Sequence, residues 1–205
     1  MPVEQLNRRA GMTEHTVKSF TEQLETLSAL VAQMGGLAES QFAAAIEAVA
    51  RRDSQAAESA VGGDARIDAM EQDIGDRAIK LLALRQPMAV DLRETLAAIK
   101  TAAELERIGD LAKNIAKRAL VLNREPPIRL TQSLARMGRV ALSQLKQVLD
   151  AFSNRNAEEA ERVWNQDGEI DEIYNSLFRE LLTYMMEDPR TIGLCTHLLF
   201  IAKNI

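Results

Sequence analysis

The sequence predicts an all-α protein made of two tandem antiparallel three-helix bundles, in which the last helix is incomplete. Apolar residues recur every three or four positions along almost the whole chain, which is the spacing of one face of a helix. Aromatic residues make up only 4% of the chain although 46% is hydrophobic, a composition that favours helices over a β-sandwich. The third observation is an internal repeat, since a long segment of the first half aligns with the second half without a gap.

Length, charge and cysteine content limit the possible functions. The 205 residues are enough for one sizeable core or two small ones. A net charge of −5 and a pI near 5.2 argue against nucleic acid as a partner, because nucleic-acid-binding domains carry a basic face. The single Cys195 excludes an internal disulfide. The polar start and the absence of any apolar run near ~18 residues predict a soluble, cytoplasmic protein with no membrane-spanning segment.

The first helix dominates the N-terminal half. Residues 1–12 are predicted to form a polar arm, and the first bundle is predicted to span residues 13–125. Thr13 caps a helix that runs to about residue 52. Gly35-Gly36 in its middle predicts a close helix crossing or a bend. Its apolar stripe consists of Val17, Phe20, Leu24, Leu27, Val31, Met34, Ala38, Phe42, Ala45 and Val49.

Two further helices complete the first bundle. Asp53 or Ser54 caps the second helix, which ends at the breaker Arg85-Gln-Pro87. The third helix runs from about Ala89 to about Asn123. Its inward stripe is predicted to contain Leu92, Leu96, Ile99 and Ala103. Short connections favour antiparallel neighbours.

The second bundle, residues 126–205, is predicted from the repeat. A shift of 103 residues places Met34-Gly35 on Met137-Gly138, and twelve of 35 positions between residues 34 and 68 are identical after the shift. The predicted helices span 128–154, 156–186 and 190 onward. Between the third and the last predicted helix the shift falls to 100, which pairs Leu105 with Ile205 and places the partner of Glu106 one position beyond the last residue. No glycine or proline ends the helix there. We therefore expect a C-terminally truncated chain, with a shortened natural variant as the alternative.

Acidic residues interrupt the predicted inward stripe of the third helix. Glu106 and Asp110 continue that stripe, and burying bare charge costs several kcal/mol per ion unless the charge is paired, neutralised or bound to a cation. Three more acids lie along one edge of the second helix: Asp64, Asp68 and Glu71. Such oxygen-only sets suit Mg²⁺, Ca²⁺ or Mn²⁺, with Fe or Zn as looser options.

An alternative remains open for these acids. They could form a solvated face, paired with Arg107, Lys113 or Arg66 as ordinary i,i+3 ion pairs. Against this alternative, Asp64 and Asp68 repeat as Asp167 and Asp171 in the second half. From the residues alone two interpretations therefore remain open, a metal site or a solvated face, for Glu106, Asp110, Asp64, Asp68 and Glu71.

The segment Glu106-Arg-Ile-Gly-Asp110-Leu-Ala-Lys-Asn114-Ile resembles the PhoU family of phosphate-specific transport system accessory proteins. The resemblance extends to the opening His15-Thr-Val-Lys-Ser-Phe20, to Asp64-Ala-Arg-Ile-Asp68, to Asp91-Leu-Arg93 and to Asp188-Pro-Arg190. It implies two three-helix bundles, commonly in homodimers, with metal at two (Glu/Asp)-x-x-x-Asp motifs. The second Glu-x-x-x-Asp motif is missing here, and Asp167 and Asp171 are what remains of that centre.

The resemblance also implies a function. Members of the family are negative regulators of the phosphate-starvation response, and they link the ATPase subunit of the phosphate ABC transporter to a sensor histidine kinase. We therefore expect a non-enzymatic, metal-binding regulator that acts by protein contact. The alternatives are a metal-dependent phosphoesterase that uses the carboxylate cluster, for which two metals ~3.5–4 Å apart could serve, and a purely structural bundle.

Overall fold

The computed structural model describes the backbone of residues 3–84, 89–127 and 130–205, and the side chains of residues 20–83, 90–127 and 130–205. Within these ranges the chain is helical and contains no strand, which confirms the all-α prediction. None of the described helices is long and apolar enough to cross a bilayer. The elements are α1 (Val3–Arg51), α2 (Ser54–Leu84), α3 (Ala89–Leu122), α4 (Thr131–Ser153), α5 (Ala157–Trp164), α6 (Gly168–Glu187), a 3₁₀ turn (Pro189–Thr191) and α7 (Ile192–Asn204).

Two of the predicted helix boundaries are wrong. Helix α1 begins at Val3, so residues 3–12 are helical instead of forming an arm, and Thr13 lies inside the helix. The single helix predicted at 156–186 is two helices with a turn between them. The Asn165 side-chain amide donates to the Glu161 carbonyl at 2.9 Å, where it closes the last turn of α5. The predicted breaker Arg85-Gln-Pro87 lies outside the described residues.

The internal duplication has structural counterparts at the end of the first helix of each half. Arg52 and Arg155, which are 103 residues apart, both adopt a left-handed backbone, with φ of 57° and 51°. The next residue in each half caps the following helix. The Asp53 carboxylate accepts from the amides of residues 55 and 56, and the Asn156 side chain accepts from the amide of residue 159. The same chain reversal is therefore built twice.

A reciprocal crossing joins the two halves. Gly35 of α1 faces Leu149 of α4, and a Cβ added at Gly35 would lie 2.6 Å from the nearest Leu149 methyl carbon. Gly138 of α4 faces Ile46 of α1, where an added Cβ would lie 2.4 Å from Ile46 Cδ1. The repeat pairs the two glycines with each other and the two large residues with each other. The close crossing predicted for Gly35 is thus confirmed, and it occurs twice about a local twofold axis.

The buried apolar side chains form two clusters. The smaller one lies within α1, α2 and α3 and contains Leu27, Val31, Met34, Ala38, Ile67, Ile74, Ala78, Ala98, Ala102 and Leu105. The larger one joins other parts of these three helices to α4, α6 and α7. The two predicted bundles therefore share apolar core across residue 125. Their assignment as domains 13–125 and 126–205 stays a prediction.

The inward stripe predicted for α3 is wrong by about one helical position. Leu92 and Leu96 are 39% and 43% exposed, and Ala103 is exposed as well. The residues that face α1 and α2 are mainly small: Thr95, Ala98, Ala102, Leu105, Gly109, Ala112, Ile115, Ala116, Ala119 and Leu122. Small side chains allow neighbouring helices to approach closely, and Leu92 and Leu96 lie outside this interface. These two leucines were therefore a misleading guide to the buried face.

We expect Gly138→Ala to lower the free energy of unfolding by about 1–3 kcal/mol, because the new methyl group would overlap Ile46. Gly36→Ala is the matched control. Gly36 is exposed, and a Cβ there meets nothing within 4 Å, so alanine should stabilise α1 by up to about 1 kcal/mol. Urea unfolding of both variants measures the difference. Equal stabilisation by the two substitutions would contradict the close crossing.

Candidate metal centre

The acids of α3 border the core instead of pointing into it. Glu106, Asp110 and Lys113 each lie one position after a buried residue of α3, so they line up along one edge of its buried face. All three are half-buried. The prediction that Glu106 and Asp110 belong to the inward stripe is therefore wrong, while their position on one face is confirmed.

The acids of α2 lie closer to the interior. Asp64 occupies a position of the buried α2 stripe between Ala60 and Ile67 and is only 5% exposed. Asp68 and Glu71 are half-buried. A carboxylate at such a position needs a cationic or hydrogen-bonding partner, since its desolvation is otherwise uncompensated.

Lys113 is that partner. Its Nζ donates to Oδ2 of Asp64 across the helix interface, and to Oδ1 of Asp110 at 3.2 Å within α3. The hydrogen bond to Asp64, followed by that to Asp110, raises the pKa of the Lys113 ammonium well above its ordinary value. Lys113 therefore carries a firm positive charge between two carboxylates and ties α3 to α2.

Two buried side-chain oxygen atoms have no hydrogen-bond partner among the described residues. One is Oδ1 of Asp64 and the other is Oε1 of Gln41, a residue of α1 that is 6% exposed. The Gln41 amide donates its hydrogen to the Ala60 carbonyl at 2.8 Å, which fixes the orientation of the side chain. A Cβ added at Gly109 would lie 3.2 Å from Gln41 Oε1, so Gly109 allows α3 to approach this amide.

The five acids of the predicted first metal site share one electrostatic region. Burial raises the pKa of Glu106 most, and the charges of four other acids add to the effect: Asp110, Asp68, Glu71 and Asp64, in decreasing order. In the described ranges, Lys113 is the one cation that forms an ion pair with any member of this group. The region therefore carries an excess of negative charge.

This cluster is not a preformed metal site. Across the described ranges, no three His, Cys, Asp or Glu side chains lie close enough to hold a metal ion as they stand. The Lys113 ammonium takes the place between Asp64 and Asp110 that a cation would need. The chemistry of the donors nevertheless fits a hard divalent ion, and the unpartnered Oδ1 of Asp64 leaves part of the donor set free. The metal assignment of these five acids stays a prediction.

The second predicted site is different. Asp167 precedes the first residue of α6, Asp171 lies in its first turn, and both side chains are exposed. Neither carboxylate forms an ion pair or accepts a cap hydrogen bond within the described part of the chain. Among the described residues, helix α6 contacts neither α2 nor α3, so these two acids lie apart from the five acids of the predicted first metal site.

Sequence reasoning missed Gln41 and the cross-helix role of Lys113. Two features of the sequence could have identified Gln41: it is a polar residue close to the apolar α1 stripe, and it repeats as Gln144 in the second half. Gln144 also donates to a backbone carbonyl of the second half, that of Gln166, at 2.9 Å. For Lys113 the sequence indicated only the i,i+3 pair with Asp110, because a contact 49 residues away has no local spacing.

The chain is similar in sequence to known proteins over most of its length. A family model described as the PhoU domain matches residues 31–119 and 134–205. A phosphate-specific transport system accessory protein PhoU homolog of Caulobacter vibrioides (strain NA1000 / CB15N) is 56% identical over 195 residues, which are 95% of this chain and 85% of the relative. The homolog of Rhizobium meliloti (strain 1021) is 48% identical over 192 residues, 93% of this chain and 81% of the relative.

Solved structures are similar over the same extent. The crystal structure of PhoU from Pseudomonas aeruginosa has a TM-score of 0.88 at 35% identity, covering 90% of this chain and 89% of that one. The phosphate transport system regulatory protein PhoU from Streptococcus pneumoniae has a TM-score of 0.83 at 30% identity, with 90% and 87% covered.

We expect Glu106→Gln to stabilise the metal-free protein near neutral pH, with the gain vanishing on acidification. A carboxyl whose pKa is raised by folding binds more protons when folded, so stability falls as pH rises through its titration range. That range begins near the ordinary value of 4.5 and ends at the raised folded pKa. Melting temperatures in chelator across this range measure the effect. Glu104→Gln, at an exposed site of α3, is the control, and a gain for Glu106→Gln that persists below the range would contradict the electrostatic cause.

Proposed function

Because the chain belongs to the PhoU family, we propose that it is an accessory protein of phosphate-specific transport that regulates phosphate uptake and represses the phosphate-starvation response. One observation carries this proposal. The PhoU domain matches segments in both halves of the chain, residues 31–119 and 134–205. The identity of 56% with a relative named as a phosphate-specific transport system accessory protein supports the same assignment.

The proposed mode of action is non-enzymatic contact with other proteins in the cytoplasm. The proposed partners are the ATPase subunit of the phosphate ABC transporter and a sensor histidine kinase, and the proposed assembly is a homodimer. Relatives named as accessory and regulatory proteins support a role without catalysis of its own. Contact with the membrane would then come through the transporter and the kinase.

The proposed cofactor is a divalent metal ion, Mg²⁺ or Mn²⁺ with Zn or Fe as further candidates, held in the first half of the chain. Asp64 and Asp110 would supply ligands from facing helices, and Glu106 would supply a third from the same edge of α3. Asp68 and Glu71 would complete the set. When bound, such an ion supplies charge neutralisation and a cross-link between α2 and α3. The half-buried position of four of these five acids supports access for the ion.

The metal proposal predicts that Glu106→Ala/Asp110→Ala weakens Mn²⁺ binding by more than about tenfold, since losing even outer partners of a metal site has that effect. Isothermal titration of the intact chain measures the dissociation constant. The matched control is Asp167→Ala/Asp171→Ala, which removes two exposed carboxylates of the second half. Its dissociation constant for Mn²⁺ at the proposed site should equal that of the wild type. Equal affinity in the wild type and the first variant would reject the site assignment.

The partner proposal predicts that the chain co-purifies from cells with the transporter ATPase and the sensor kinase. Loss of the protein should derepress a phosphate-starvation reporter in phosphate-rich medium, and the wild-type gene should restore repression. Recovery of neither partner would reject the adaptor role. A phosphate-ester panel with added Mn²⁺ separates the alternative, because turnover that disappears in Glu106→Ala/Asp110→Ala would indicate a phosphoesterase instead.

A further inference from the structure

We infer that Lys113 is the resident cation of the acidic cluster, and that a divalent ion binds there only by displacing the Lys113 ammonium from Asp64 and Asp110. This inference rests on the proposed metal site and adds a residue that sets its affinity. It also gives metal binding a structural consequence, because the displaced ammonium must move away from the α2–α3 interface.

The Lys113 ammonium lies where a bridging cation would bind. Nζ of Lys113 lies within hydrogen-bonding reach of one oxygen of Asp64 and one oxygen of Asp110. These carboxylates come from different helices, so the point between them is where a bridging cation would bind. Two cations cannot share this point, because like charges at contact distance repel each other.

Lys113 does not provide a hydrogen bond to every buried carboxylate oxygen of the cluster. The ammonium leaves Oδ1 of Asp64 without a partner, although Asp64 is more than nine-tenths buried. A divalent ion takes six or more oxygen ligands and can use both oxygens of one carboxylate. The buried oxygen that Lys113 does not reach therefore favours exchange of the ammonium for a larger charge.

The Lys113 side chain has an open path into solvent. Its side chain is 27% exposed while that of Asp64 is 7% exposed, so the lysine approaches from the solvent side of the pair. Four flexible methylene groups allow the ammonium to swing into water without a change in the helix. Displacement would place a free positive charge on the half-buried edge of α3. Metal occupancy would thus change the surface charge that a partner protein meets.

The test compares two substitutions at residue 113. Lys113→Gln keeps a hydrogen-bond donor for Asp64 but removes the charge, and we expect its dissociation constant for Mn²⁺ to fall by about tenfold or more. Lys113→Arg keeps the charge and should bind Mn²⁺ no more tightly than the wild type. Lys117→Gln removes an exposed lysine one turn later and should bind like the wild type. Isothermal titration of the intact chain gives the three constants, and melting curves in chelator establish that each variant is folded.

A second readout follows the lysine itself. In protein labelled with ¹³C at the lysine ε-carbon, the Lys113 signal is assigned by its absence from Lys113→Gln. Titration with Mg²⁺ should move this signal towards those of the exposed Lys100 and Lys117. Metal binding by the wild type with an unmoved Lys113 signal, or with no gain in Lys113→Gln, would overturn the inference and leave the metal site intact. Absence of binding in both proteins would instead overturn the metal site, and the inference with it.

Discussion

A single buried carboxylate constrains the first half of this molecule. Asp64 stands in the apolar stripe of α2, and its charge is compensated by an ammonium that reaches over from α3. That requirement fixes the rotation of α3, because Lys113 must lie beside the interface and Gly109, four residues earlier, must face into it. The small residues of α3 then follow as the side chains that allow the two helices to approach. An electrostatic constraint and a packing constraint thus select the same helix orientation.

The helical class, most helix positions and the duplication could be predicted from the sequence because they depend on local periodicity. The buried stripe of α1 from Leu24 onward matches the predicted one. The face of α3 could not be predicted in the same way, since several of its buried residues are alanines that also occur on exposed faces. The acids were identifiable from their conflict with the apolar pattern. Their partner was not, because the contact between Asp64 and Lys113 forms only when two helices pack.

The two halves diverge at the position of this carboxylate. In the first half the chain passes Asp64 as a continuous helix, with the side chain buried against α3. In the second half the equivalent Asp167 lies at the turn between α5 and α6 and is exposed. The repeated sequence therefore does not impose a repeated site. Burial by a facing helix, rather than the motif alone, gives a carboxylate its unusual electrostatic environment.

The reciprocal crossing of Gly35 with Leu149 and of Gly138 with Ile46 has the form of an isologous contact, the kind made by two copies of one subunit in a C2 dimer. In a true dimer every mutation at such a contact appears twice, so a poor fit is doubled. Within one polypeptide each half can change alone. A larger residue at one of the two contacts can therefore be accommodated by a smaller neighbour at that contact, while the other contact stays as it was. Covalent linkage of the halves therefore releases the pseudosymmetric contact from strict symmetry. One half can then specialise in ligand chemistry while the other retains the packing that holds them together.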